Sequence, residues 1–217
     1  MMDYEKARIK MVDCQVRTCD VTEHEILSSM MTVPREEFVP KKLRDLAYID
    51  EDLSLDNGRF LMEPAPFAKL LQIAKIDDDD VALVIGAGCG YSSAVISLMA
   101  SSVVAVEEDK QLADEASARL TALGYDNVAF VKGQHALGYA KEGPYDVIFI
   151  DGAVEYVPDA LTNQLSEQGR LVSVEGIGNS GLAMVYEKTD GIVSSRSIDN
   201  CAVKPLPGFE KKQQFVF

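Results

Sequence analysis

Three glycines on alternate positions, Gly86, Gly88 and Gly90, stand between the apolar run Val81-Ala-Leu-Val-Ile85 and an Ala/Ser/Val/Leu/Met stretch that ends at Ala100. A buried strand turning sharply into a helix is the plain reading of that pattern. Glycine allows positive φ and close approach of the backbone to a ligand. The helix starting near Tyr91 then offers unpaired N–H groups and the positive end of its dipole, which suit an anionic or phosphate-like group. The spacing is G-x-G-x-G, not the G-x-G-x-x-G of dinucleotide binders. Glu107 follows the next apolar run. An acid there can accept both hydrogen bonds of a ribose diol; read alone, it is one more surface acid beside Glu108 and Asp109. Loop and acid together imply an amino-acid-bearing nucleoside with its α-carboxylate on the helix N-terminus.

A second acid, Asp151, ends the run Asp146-Val-Ile-Phe-Ile-Asp151 and precedes Gly152. At a strand end it would face the ligand side as a base, a substrate-orienting group or one metal ligand; the plainer reading is a cap on the next helix. One carboxylate is not a metal site, and no companion ligands stand at metal spacing, so no metal is expected. Asp77-Asp-Asp-Asp80 also lacks cation-ligand spacing and reads as a solvated turn. Cys89 reads as a small space-filling residue inside the glycine loop, although the helix N-terminus beside it would lower its pKa.

The bulk properties limit what this chemistry can serve. A chain of 217 residues, 47% hydrophobic, can bury one substantial α/β core with an appendage. Lys and Arg number 21 against 35 Asp and Glu, a net charge of −14. That balance opposes general nucleic-acid binding, which needs a basic surface. Cys14, Cys19, Cys89 and Cys201 form no C-x-x-C pair, so reduced thiols are expected. The mixed polar N-terminus is no signal peptide, and no apolar run has the length of a membrane span. A soluble, cytoplasmic protein is the expectation.

The elements that would position these residues follow in chain order. Asp3 to Cys19 reads as a helix, and Thr22-Glu-His-Glu25 as a capping box before another. Val33-Pro34 and Val39-Pro40 interrupt further helix, and Lys41 to Tyr48 is a candidate short one. Periodicity fades from Ile49 to Pro66, through Asp56-Asn-Gly58, as in a long ordered loop or a pair of short extended pieces. Helix resumes from Phe67 to Ala74. After the glycine loop come strands at Val103–Val106, Val128–Val131, Asp146–Asp151 and Leu171–Val174, alternating with helices at Gln111–Leu123 and Asp159–Ser166. Such alternation implies βαβ units and a parallel sheet. Leu182–Glu187 and Ile192–Ser197 flank Asp190-Gly191, a hairpin signal, and Phe215-Val-Phe217 is a candidate edge segment. Residues 1–76 would form an N-terminal helical cap with the substrate-side loop, and 77–217 the sheet core, together one compact unit.

The chain resembles the protein-L-isoaspartate (D-aspartate) O-methyltransferase family. The match rests on Val33-Pro-Arg-Glu-Glu-Phe-Val-Pro40, Leu46-Ala-Tyr48, Asn57-Gly58, Pro64, Ile85-Gly-Ala-Gly-Cys-Gly-Tyr91, Val106-Glu107, Gly133, Pro144-Tyr-Asp146, Gln164-Leu165, Gly169-Arg-Leu171 and Pro205-Leu206. The resemblance implies a Rossmann-like α/β sheet with an N-terminal helical cap and antiparallel C-terminal strands. It also implies S-adenosyl-L-methionine as cofactor and isoaspartyl residues of proteins or peptides as methyl acceptors. Cofactor contacts are expected from Ile85, Gly86, Ala87, Gly88, Gly90, Tyr91, Glu107 and Glu108, with Gln134 and His135 toward the adenine. His135 is equally readable as an ordinary loop residue.

Departures from the family pattern fall at functional positions. Its Gly-Gln-Thr-Ile-Ser-x-Pro segment reads Gly58-Arg59-Phe60-Leu61-Met62-Glu63-Pro64 here, so Phe60 and Met62 replace two hydroxyls and can donate no hydrogen bond. Val84 stands where the family carries an acid, and Gln134 where it carries an Asp. Arg59 remains as a charged fork for an acidic acceptor, or as a surface arginine paired with Glu63 or a nearby Asp. Arg59, Met62 and Asp151 are the candidate reaction-side residues. A carboxylate acceptor is already ionised at neutral pH and needs positioning more than a base. A small acidic or hydroxyl acceptor, and a cofactor-binding module without activity, are the competing expectations.

Overall fold

The computed structural model describes residues 2–55, 58–176 and 178–211 of the chain. Asn57 and the candidate edge segment Phe215-Val-Phe217 lie outside the described residues. A short hairpin, β1 (Leu53–Ser54) and β2 (Phe60–Leu61), precedes the main sheet. The sheet strands are β3 (Val81–Ile85), β4 (Ser102–Glu107), β5 (Val128–Lys132), β6 (Tyr145–Val154), β7 (Leu165–Glu175), β8 (Leu182–Thr189) and β9 (Ile192–Asn200). They lie in the order β5-β4-β3-β6-β7-β8-β9. The first five run parallel, and β8 and β9 add antiparallel.

β3 holds the centre because it is apolar on both faces. Ala82 and Val84 point into one buried cluster, Leu83 and Ile85 into the other. The period-two alternation thus serves two cores, as in strands covered by helices on both sides. From β3 the chain steps outward through α4 (Tyr91–Ser97), β4, α5 (Lys110–Leu123) and β5, then returns to pair β6 on the other side of β3. That reversal leaves a crevice outside the carboxyl ends of β3 and β6, the place where such sheets bind ligands. α5 shows why the local signals sufficed there. Asp109 caps it by accepting from Leu112 N (3.0 Å), Leu112, Ala116 and Leu120 are buried, and Gly124 ends it at φ +81°.

The N-terminal helices close one face of the sheet. α1 (Tyr4–Met11) runs on as a π turn at Val12–Val16 and a 3₁₀ turn at Arg17–Cys19. α2 (His24–Thr32) and α3 (Pro64–Ala74) follow. Met11, Ile26, Met30 and Phe67 share a buried cluster with Val84 and Val95. Arg35 is fully buried and ties this cap together. Its Nε donates to Ala47 O (2.7 Å), its Nη2 to Met62 O (2.6 Å), and its guanidinium lies 4.8 Å over the Tyr91 ring.

Several local readings give way to tertiary structure. The capping box does not form: α2 starts after Glu23 with no side-chain cap, because the Thr22 N–H donates to Gln72 Oε1 (2.9 Å). Lys41–Leu46 is a 3₁₀ helix, not an α-helix. α3 begins at Pro64, since proline fits a first helical turn. α6 (Asp159–Thr162) stops early because Leu165 already pairs with Tyr145. Asp80 does not share the solvation expected of its acidic run; it is buried against Arg170, Nη2 to Oδ2 2.6 Å. At the β8–β9 turn, Asp190 and Gly191 both take positive φ (51° and 74°), as the hairpin reading requires.

Candidate active site

The glycine loop leaves β3 with Gly86 at φ +74°, Gly88 at +52° and Gly90 at +91°. The N–H groups of Gly86 and Ala87 both donate to Val106 O (2.9 and 3.1 Å), which clamps the loop onto β4. The three glycines do different work. A Cβ on Gly90 would touch Ala116 and Leu120 of α5 (3.4 Å each), so this glycine permits helix packing. Gly86 and Gly88 face the crevice. Ile85 and Ala87 are buried behind them, and Tyr91 turns toward the cap, its ring 5.6 Å from Phe38 and 5.7 Å from Phe67.

Glu107 ends β4 beneath the loop and is 1% exposed. Its carboxylate accepts the N–H groups of Gly88 (2.8 Å), Glu108 (3.0 Å) and Asp109 (3.1 Å). His135 Nε2 lies 3.3 Å from Oε1, an ion pair whenever the ring carries its second proton. Arg59 Nη1 lies 3.2 Å from Oε2. Burial by itself would raise this acid; the His135 ring, the Arg59 charge and the Asp109 N–H outweigh it and hold it down at about 2.

Arg59 is therefore not a surface arginine. Its partner is neither Glu63 nor an aspartate but Glu107, and its Nη2 also donates to Gly86 O (2.6 Å). The hairpin delivers it: Leu53 pairs with Leu61, Ser54 with Phe60, and Leu55 N donates to Arg59 O (2.8 Å).

The opposite wall comes from β6 and the chain that follows β9. The β6–β7 register shifts between Phe149 and Ala153, and Asp151 stands within that irregularity. Such bulges re-aim side chains beside sites. Ala153 N donates to Lys204 O (2.9 Å) and Leu206 N to Ala153 O (2.8 Å), so residues 204–206 lie along the end of β6. Gly152 makes room for them, since a Cβ there would stand 3.0 Å from Leu206 Cβ. The Leu206 methyl groups end over Gly86, 2.5 and 2.7 Å from where its Cβ would be. Between the two walls remains a narrow cleft, lined by Asp52, Arg59, Phe60, Met62, Asp151 and Lys204 among others. Burial pushes Asp151 up to about 6, against the pull of Arg59 and Arg35. It caps no helix, for α6 starts eight residues later behind Pro158. Cys89 also departs from expectation: burial raises its thiol, outweighing the Tyr91 N–H and Arg119.

Gly86, Gly88, Arg59, Glu107 and His135 thus form one contiguous cluster, and Met62 and Asp151 share the cleft with Arg59. Glu108 borders the cluster, its Oε1 accepting the His135 N–H at 2.7 Å. Gln134 lies outside it, exposed in an open recess with Glu108, Lys132 and Gly133. Leu206, Lys204 and Asp52 complete the walls without having been singled out by residue type. Gly152 following Asp151 was the available signal, because a glycine at a strand end marks close approach of another backbone.

The profile of the protein-L-isoaspartate(D-aspartate) O-methyltransferase family matches residues 7–211. The chain belongs to that family. The protein-L-isoaspartate O-methyltransferase of Koribacter versatilis is 34% identical over 201 residues, 93% of this chain and 90% of that protein. Protein-L-isoaspartate O-methyltransferase 2 of Archaeoglobus fulgidus is 31% identical over 210 residues, 95% of each chain. A solved protein-L-isoaspartate O-methyltransferase superposes with a TM-score of 0.79 at 25% identity, covering 94% of this chain and 66% of that one. A Plasmodium falciparum protein of the same description, solved with S-adenosyl-L-homocysteine, gives 0.80 at 18% identity over 93% and 98% of the two chains. That likeness speaks for the fold, a mostly parallel sheet with antiparallel C-terminal strands. The family and these relatives are methyltransferases, and this family member stands among enzymes. No described helix is long and apolar enough to cross a membrane, and no described group of three His, Cys, Asp or Glu could hold a metal ion.

Proposed function

We propose that the chain transfers a methyl group from S-adenosyl-L-methionine to a carboxylate, with isoaspartyl-containing proteins or peptides as acceptors. One observation carries the reading: two crevice-facing glycines with positive φ stand directly over a buried, ionised acid at the carboxyl ends of adjacent parallel strands. The backbone of this cradle fits an amino-acid-bearing nucleoside. The side-chain space does so only after Arg59 and Leu206 give way, because they lie against Gly86 and Gly88. Ile85 to Gly90 with Tyr91 would hold the amino-acid end, Glu107 the ribose, and Glu108, Gln134 and His135 the base.

The cofactor supplies an activated methyl on a sulfonium; everything else falls to the chain. A carboxylate acceptor is ionised at neutral pH, so these residues position it and need no general base. Phe60 and Met62 offer the acceptor no hydrogen-bond donor. The cleft's cations are Arg59 and, at its mouth, the exposed Lys204, whose Nζ lies 5.7 Å over the Phe60 ring. Lys204 favours an acidic acceptor, which a small acidic molecule would also satisfy; Arg59 adds to it only on leaving Glu107. All four cysteines are free, in keeping with a reducing, cytoplasmic setting. Incubation with methyl-labelled S-adenosyl-L-methionine and an isoaspartyl peptide should give label in base-labile ester. Background incorporation with both the natural chain and Arg59→Gln would end the proposal.

A further inference from the structure

We infer that Arg59 is an internal ligand of the nucleoside seat, and that S-adenosyl ligands enter only by exchanging places with its guanidinium. The inference rests on the proposed function and adds the residue that sets affinity at that site.

Three observations converge. First, the guanidinium spans the seat, with Nη1 on Glu107 (3.2 Å) and Nη2 on the carbonyl of Gly86 (2.6 Å). Second, Glu107 has no capacity to spare. A carboxylate has about four lone-pair sites, and the N–H groups of Gly88, Glu108 and Asp109 together with Arg59 Nη1 already take them, while the nearby His135 Nε2 accepts the Glu108 N–H (3.2 Å). A ribose diol cannot bind that acid until a donor leaves. The three N–H groups are backbone, so Arg59 is the donor free to rotate away. Third, Nη2 lies 3.1 Å from where a Cβ on Gly86 would stand and 3.6 Å from the corresponding point on Gly88. The space that the missing side chains leave is the space Arg59 fills.

The exchange is unfavourable for a ligand. It trades a buried charge-assisted fork for neutral hydroxyl donors, and charged hydrogen bonds are about twice as strong. A site whose competent form is thinly populated shows an apparent Kd raised by that fraction. Leu206 adds bulk over Gly86 but no polar claim on Glu107.

Isothermal titration of the full chain with S-adenosyl-L-homocysteine tests the exchange. Arg59→Gln keeps an amide and removes the charge; its affinity should exceed that of the natural chain at least about tenfold. Arg59→Lys, which keeps the charge but loses the planar fork, should fall between them, and it serves if the glutamine variant does not fold. Equal affinities in natural chain and variants would overturn the exchange and leave the methyltransferase reading standing. Folded variants that bind no more ligand than a silent natural chain would overturn both. Tight, submicromolar binding by the natural chain, unimproved in either variant, would overturn the exchange alone.

Discussion

Two arginines are buried within the same half of the molecule, and they do opposite things. Arg35 donates to two backbone carbonyls, Ala47 O and Met62 O, and lies over Tyr91; none of the hydrogen bonds it makes is to a carboxylate. Arg59 joins a carboxylate, Glu107, to the carbonyl of Gly86 in the crevice of the sheet. Arg35 satisfies backbone carbonyls and packs on an aromatic ring, so it belongs to the cap. Arg59 satisfies groups that in a nucleoside site are left for a ligand. Burial by itself says nothing about function; what a buried cation is bonded to does.

Breaking the first arginine should have the larger effect on stability. Arg35→Met leaves the carbonyls of Ala47 and Met62 buried without donors, at about 1–3 kcal/mol each. Chemical denaturation should show a loss of about 3 kcal/mol or more, with S-adenosyl-L-homocysteine affinity unchanged in whatever fraction stays folded. A variant as stable as the natural chain would mean the cap is held by its apolar contacts alone.

A second contrast involves two carboxylates flanking Arg59, with opposite signs of pH dependence. Glu107 is held at about 2, below its ordinary 4.5, so its contribution is complete above about 4.5 and is lost as pH falls toward 2. Asp151 is raised from 3.8 to about 6. Between those values the folded state keeps a proton that the unfolded chain has released, so stability falls as pH rises through that window. Asp151→Asn should remove that fall and stabilise the protein at pH 7 by about 3 kcal/mol at most. Melting temperatures across pH 4 to 7 decide it; parallel curves for the two proteins would exclude an elevated Asp151.

Much of this frame could be read before any coordinates. The two-period of Val81–Ile85, the alternate glycines and Glu107 are local patterns, and local patterns specify strands, turns and helix starts. The capping box at Thr22 failed because Gln72, fifty residues away, took its N–H. Arg59 resisted for the same reason. Its partner stands 48 positions along the chain, and no periodicity relates a hairpin residue to a strand end on another sheet. Leu206 reaches Gly86 through a bridge to Ala153 that only the folded sheet creates. The chemistry of the loop was legible; what fills it is a tertiary fact.

Within Arg59 itself, stability and binding should move in opposite directions. Stripping one partner from a buried ion pair commonly costs about 3–5 kcal/mol. Arg59→Gln should cost less, about 1–2 kcal/mol, because Glu107 keeps three backbone donors and the His135 ring beside it. A less stable protein that binds S-adenosyl-L-homocysteine more tightly is the signature of a displaced internal ligand. A merely structural arginine would lose on both measures.

The smallest effect belongs to Lys204, and it locates where acidity is read. Its ammonium lies over the Phe60 ring at the cleft mouth, exposed to solvent. A cation–π contact at such a site contributes only about 0.5–1 kcal/mol, so Lys204→Met should barely shift the denaturation midpoint. If the mouth attracts the acceptor, the KM for an isoaspartyl peptide should rise by about threefold to tenfold while kcat holds, since a charge met equally in ground and transition states affects binding alone. An unchanged KM would move acceptor recognition inward to Arg59, the one other cation lining the described cleft. Arg59 would then have to leave Glu107 for the acceptor as well as for the cofactor, and acidic peptide and nucleoside would bind cooperatively.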